Sequence, residues 1–140
     1  MPTVFRSMRM AVDGFPIVAR SSSGLGVRVP GMIPPPQRLD VDVDASNNVI
    51  FNDKGMSVND AWRNIPPSLL PRRCGGFSSD NRYCFKMGEG PFVQTVLAEG
   101  LELLPDSKIH GIVRPNETMP LAEYEERLVA TRLEWQVDEA

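Results

Sequence analysis

Apolar and polar residues alternate in short runs along most of the chain, the period of two that marks half-buried strands. In Val4-Phe5-Arg6-Ser7-Met8 the alternation puts Phe5 and Ser7 on one face and Val4, Arg6 and Met8 on the other. An arginine among apolar neighbours is costly to bury without an anionic partner, so Arg6 is expected to snorkel to the strand edge or to meet a ligand. Asp13-Gly14-Phe15-Pro16 reads as a turn, and the glycine-punctuated SSSGLG stretch leads into a short strand, Leu25–Val29. Beyond the stiff Pro34-Pro35-Pro36 spacer, LDVDVD alternates strictly and suits an edge strand with one acidic face. Asn47-Asn48 is a turn signal before Val49-Ile50-Phe51. Tyr83–Met87 is expected to be a central strand, followed by strands at Phe92–Leu97, Leu101–Leu104 and Ile109–Val113, with a turn at Pro105-Asp106-Ser107.

Two stretches depart from that pattern. Residues 55 to 73, GMSVNDAWRNIPPSLLPRR, carry Met56, Val58, Trp62, Ile65, Leu69 and Leu70, too much apolar surface for an ordinary loop. Pro66, Pro67 and Pro71 prevent one regular element, so the stretch reads as a shaped, partly buried segment beside a sheet. From Thr118 the period changes: Leu121, Tyr124, Leu128, Thr131 and Trp135 fall at helical spacing behind a capping Thr118 and a first-turn Pro120. The stripe is expected to pack on the sheet. The fold class is therefore α+β, a β-rich single domain over 1–140 with a C-terminal amphipathic helix.

Composition narrows the function classes. A chain of 140 residues with 41% hydrophobic content suits one domain. It holds no apolar run long enough to span a bilayer, and its N-terminus lacks the apolar core of a signal peptide. The expectation is a cytoplasmic protein with no membrane partner, or one delivered into a target cell without a cleavable signal. A net charge of −3 argues against nucleic-acid binding as a general role. The charge is segregated, with five arginines against one acid in residues 1 to 38, and seven acids against two arginines in residues 116 to 140. A basic N-terminal part either faces an anionic small molecule or is ordinary solvated surface. Cys74 and Cys84 lack a second cysteine pair and His110 is the only histidine, so no zinc site is expected and reduced thiols are preferred to a disulfide.

Phosphate-binding, dinucleotide-binding and nucleophile-elbow motifs are absent, as is His-Glu-x-x-His. What remains is a sparse set: Arg6, Ser57 after a glycine-led turn, Glu89 in MGEGP, and His110 on a late strand. Each has a purely structural explanation, in a surface ion pair, a local backbone bond, a loop position and a core histidine respectively. Together they are also the ingredients for cleaving the nicotinamide glycosidic bond of NAD, where a basic residue holds the dinucleotide, a serine braces the ribose and a carboxylate offsets oxocarbenium charge.

The order Val4-Phe5-Arg6-Ser7, Gly55-Met56-Ser57-Val58 and I-H-G-I-V-R-P-N-E-T-M-P-L-A-E-Y from Ile109 resembles the ADP-ribosyltransferase-like toxins delivered by bacterial type VI secretion. His110, Pro115 and Met119-Pro120-Leu121 carry most of the similarity, which covers about half of the chain in scattered blocks. The resemblance implies a small, split, twisted β-sheet with a cleft that accepts NAD as substrate and is lined by Arg6, Ser57 and His110. It further implies a toxic transferase role on an unknown macromolecular acceptor, countered by a cognate immunity protein. Ser57, His110 and Glu89 are then the catalytic candidates. Arg6, Ser57, Arg72 and Arg73 are the NAD-binding ones, the last two as guanidinium forks for a pyrophosphate. The alternative is a non-enzymatic protein-interaction module, or an immunity-type partner, on the same fold.

Overall fold

The computed structural model describes residues 1–140. In chain order its elements are β1 (Val4–Arg9), β2 (Asn48–Val49), β3 (Met56–Asn59), β4 (Arg82–Met87), β5 (Thr95–Ala98), β6 (Leu101–Pro105), β7 (His110–Pro115), β8 (Met119–Pro120), α1 (Leu121–Val129) and β9 (Gln136–Val137). Seven strands form one antiparallel sheet in the order β5-β6-β7-β3-β1-β4-β9, while β2 and β8 pair in a separate ribbon leading into the helix. The α+β class stands.

Alternation assigns the two faces of the sheet. Val4, Met8, Met56, Val58, Phe85, Met87 and Val113 share one face and form the main core with Leu121, Tyr124 and Leu128 of α1 and with Trp135. Leu25, Val27, Val29 and Val41 close this core from the irregular segment between β1 and β2. On the other face Phe5 and Cys84 pack against Ile65 and Leu70 of the proline-rich segment that follows β3. That second layer covers only part of its face, leaving Ser7, Ser57, Asn59, His110 and Ile112 beside it.

Several elements differ from expectation. Leu25–Val29 and the LDVDVD run are not strands, although Leu25, Val27, Val29 and Val41 are at most 1% exposed. The pattern marks which side chains turn inward, whereas a ladder also needs a neighbouring backbone. Here only isolated bridges form, Val18 with Leu25 and Val43 with Val49. β4 lies next to the sheet edge, flanked by β9, a two-residue strand hidden in what reads as tail. Phe92–Leu97 becomes a strand only from Thr95.

The helix is shorter than its apolar stripe. It runs from Leu121 to Val129, and a 3-10 turn at Arg132–Glu134 carries the chain on to Trp135. Thr118 does not cap it. Its hydroxyl accepts from the Phe51 amide, and the Leu121 N–H, which has no partner within the first turn, finds the Asn47 carbonyl at 3.0 Å. Thr131 Oγ donates to the Leu128 carbonyl at 2.7 Å and accepts from Trp135 Nε1 at 3.0 Å, a local network that competes with helix continuation. No helix is long and apolar enough to cross a membrane.

Tyr124 ties α1 to the sheet centre. Its hydroxyl donates to the Val113 carbonyl and accepts from the Met56 amide at 3.3 Å, and burial pushes its pKa up. Tyr124→Phe keeps the ring but strands both backbone groups in the core. Urea denaturation should show a loss of about 1 to 3 kcal/mol with the fold retained.

Candidate functional site

The sheet opens between its two middle strands. β1 is registered against β4 along its whole length, from Val4 with Met87 to Arg9 with Arg82, but against β3 only at Phe5 with Asn59. Beyond that pair the strands part, and the Arg6 guanidinium fills the gap. Arg6 belongs to the core face with Val4 and Met8, and only 7% of it is exposed. Nη1 donates to the Ser57 carbonyl at 2.8 Å, bridging the strands where ladder bonds are missing. Nε and Nη2 both donate to Gly24 O at 3.1 Å, and Nη2 also reaches Ser21 O at 3.1 Å and Gly26 O at 3.4 Å.

Arg6 therefore neither snorkels nor pairs with an anion. A loop wraps it in carbonyl dipoles. Desolvation lowers its pKa to about 10, which leaves it cationic at neutral pH. The wrap needs glycine at Gly26, where a Cβ would stand 2.2 Å from the Ala19 carbonyl oxygen.

A cavity of about 360 Å³ lies at this opening, on the face opposite the main core. Ser57 of β3 is registered opposite Ile112 of β7, and Asn59 opposite His110, so all four side chains share that face. Ile65, Pro66 and Leu69 form an apolar wall from the proline-rich segment, held down by Ser7 Oγ donating to Leu69 O at 2.6 Å. The third wall comes from the irregular segments around residues 28 to 40 and 53 to 55. Gly55 allows close approach there, because a Cβ on it would meet Val113 O at 2.2 Å.

Most charges of the cavity are matched. Arg28 grips Asp40 through Nε at 3.0 Å and Nη2 at 2.8 Å, and that bond holds the Arg28 pKa up. Lys54 pairs with Asp42 at 3.1 Å. His110 Nδ1 sits 2.8 and 2.9 Å from the two oxygens of Asp106, with the ring about one-third exposed. A carboxylate accepting from Nδ1–H leaves Nε2 as the basic nitrogen. The unspent groups are the Ser57 hydroxyl, His110 Nε2, the exposed Arg38 and the Asp53 carboxylate at the mouth. With the Arg6 charge behind the floor, the arrangement suits an anionic ligand that has both a polar part and a ring to lay on the apolar wall.

Three residues singled out in the sequence, Arg6, Ser57 and His110, line this one cavity. Three others lie elsewhere. Glu89 follows β4 with its side chain 88% exposed and pairs with Lys86 at 3.1 Å. Arg72 is exposed at the far end of the proline-rich segment. Arg73 is consumed as a clamp, donating to Glu139 at 3.1 and 2.7 Å and to the carbonyls of Asp80 and Arg82 at 2.8 and 2.7 Å, while stacking on Tyr83. Arg73 has no free fork left for a pyrophosphate, and Arg72 lies outside the cleft.

Asn59, Asp106, Arg28, Asp40 and Arg38 were not legible as site residues. Ser57-x-Asn59 at strand period is the one local signal for Asn59, and the Pro105-Asp106-Ser107 turn is the signal for Asp106, since it folds that carboxylate back onto β7. The others arrive from irregular backbone that no periodicity describes.

Comparison with known proteins returns no family model, curated relative or solved structure that matches the chain.

Arg6→Ala should uncover four carbonyls and the β1–β3 gap together. A loss of about 3 kcal/mol or more is expected in urea denaturation, because each stranded buried acceptor costs about 1 to 3 kcal/mol. An unchanged midpoint would show that the guanidinium is not what holds the opening.

Proposed function

We propose that this cleft binds NAD and that the chain is a small toxin-like domain of ADP-ribosyltransferase type, transferring ADP-ribose to an intracellular macromolecular acceptor. The observation that carries the reading is convergence. Arg6, Ser57 and His110 stand far apart in sequence and are picked out by resemblance, yet they meet at the opening of one sheet. A cleft at an open sheet is also what that resemblance implies.

NAD supplies a glycosidic bond whose cleavage releases nicotinamide with the bonding electron pair. The chain's own residues divide the remaining work. Ser57 Oγ, free of protein partners and facing the cavity, braces a ribose hydroxyl. Arg38 at the rim and the Arg6 charge beneath the floor attract the pyrophosphate, the role first assigned to Arg72 and Arg73. His110 Nε2, oriented by Asp106, takes the proton from the acceptor nucleophile. Glu89 is exposed and outside the cavity, so the carboxylate role passes to Asp53 at its mouth. A cognate immunity protein would act by covering this mouth.

One observation favours the second reading, a non-enzymatic interaction module. The Arg6 guanidinium is fully occupied by carbonyls and the expected glutamate is absent from the cleft.

The test compares purified wild type with Ser57→Ala and His110→Ala, whose side chains are not part of the main core. NAD at a hundred times its dissociation constant should stabilise the wild type by about 2.7 kcal/mol in a thermal melt. Nicotinamide release should fall about a hundredfold or more in His110→Ala. Ser57→Ala should relieve growth arrest when expressed inside cells, whereas Arg6→Ala also weakens the fold and so does not isolate the site. No thermal shift with NAD, together with unimpaired growth, gives the module reading instead.

A further inference from the structure

Behind the proline-rich wall lies a second cluster that the cleft does not use. The Sγ atoms of Cys74 and Cys84 and a carboxylate oxygen of Glu139 all lie within 4.8 Å of one another. Cys84 is buried in β4, while Cys74 is partly exposed at the end of a 3-10 turn, Arg72–Cys74. Both are free thiols.

A metal centre is one reading of such a cluster, and the carboxylate argues against it. Glu139 already accepts from Arg73 Nε at 3.1 Å and Nη2 at 2.7 Å, and its second oxygen also accepts from the Cys84 amide at 3.1 Å. Burial alone would push its pKa up, but these bonds outweigh burial and hold it below the usual carboxylate range. The guanidinium beside it also repels a dication. Two thiols remain, too few to close a zinc site.

Two adjacent thiols of unequal access suit two-electron chemistry instead. We propose that Cys74 and Cys84 are a reversible dithiol–disulfide pair, closed by exchange with a small disulfide of the glutathione class. The Cys74 thiolate attacks one sulfur of the oxidant, breaking its S–S bond and releasing one thiolate. The Cys84 thiolate then attacks the Cys74 sulfur, forming the protein disulfide and releasing the second. The protein loses two protons and two electrons, and the oxidant leaves as two reduced thiols. Burial raises both thiol pKa values, that of Cys84 to about 12, so closure is slow and begins at the accessible Cys74.

Closure would bind the turn after the cleft wall to β4. Leu69, Pro66 and Ile65 lie on the same segment, so the bond would fix the wall against the strand beside β1. This holds whether or not the cleft takes NAD.

The full chain is equilibrated natively with glutathione disulfide or with dithiothreitol, quenched with iodoacetamide and weighed intact. Oxidised wild type should lose two hydrogens, take up no label, and melt several degrees above the reduced form. Cys84→Ser should retain one glutathione on Cys74, and Cys74→Ser should stay free of adduct. Persistent labelling of both thiols after oxidation overturns the pairing, as does a stable glutathione adduct on the wild type. Stoichiometric zinc uptake by the reduced chain that blocks closure overturns it in favour of a metal site.

Discussion

A buried guanidinium that makes no direct salt bridge sits at the centre of this sheet, and the arrangement around it follows from satisfying its donors. Arg6 is on a core-facing position and only 7% exposed, so water solvates it little. Removing a charge from water costs several kcal/mol unless the new surroundings supply oriented dipoles. The loop through Ser21, Gly24 and Gly26 supplies them as carbonyls, and the Ser57 carbonyl supplies one more from β3. The strands part to admit the side chain, and the same parting opens the cleft. One residue thus shapes the opening, holds the loop beneath it and leaves a fixed positive charge behind its floor.

The remaining charges are mostly spent on fastening irregular backbone to the regular frame. Arg20 forks onto Glu125 of α1, and Arg132 grips Asp13 while donating to Pro16 O. Arg20–Glu125 joins a base of the N-terminal part to an acid of the C-terminal part, and Arg132–Asp13 joins the same two parts with the signs reversed. Each such exposed pair contributes little stability. Their value is positional, because the segment between β1 and β2 has almost no ladder bonds to fix it. At the other end Arg73 joins the proline-rich segment to the tail through Glu139, and Trp62 Nε1 donates to Ala140 O at 2.9 Å. Within the cleft itself the groups left without a partner are the Ser57 hydroxyl, His110 Nε2, Arg38 and Asp53, and the site reading narrows to them.

Alternation along β1 placed Val4, Arg6 and Met8 on one face and Phe5 and Ser7 on the other, because a pleated strand turns every second side chain to the same face whatever its neighbours. The stripe Leu121, Tyr124, Leu128 likewise marked the helix face, and the α+β class followed. Ser57 and His110 were legible as candidates because one follows a glycine-led turn, the other is the chain's single histidine on a late strand, and both fall in the blocks that carry the resemblance. The sequence by itself therefore determined the α+β class, the faces of β1 and of the helix, and the oddity of an arginine on an apolar strand face. Tertiary structure alone decided strand order, the parting of β1 from β3, the capture of Arg73 by Glu139 and the outward placing of Glu89. Those depend on which distant backbone comes alongside, and no residue-by-residue period carries that information. Arg6 shows the division most clearly: its oddity could be read from five letters, but its partners come from a loop some eighteen residues away and a strand fifty-one away.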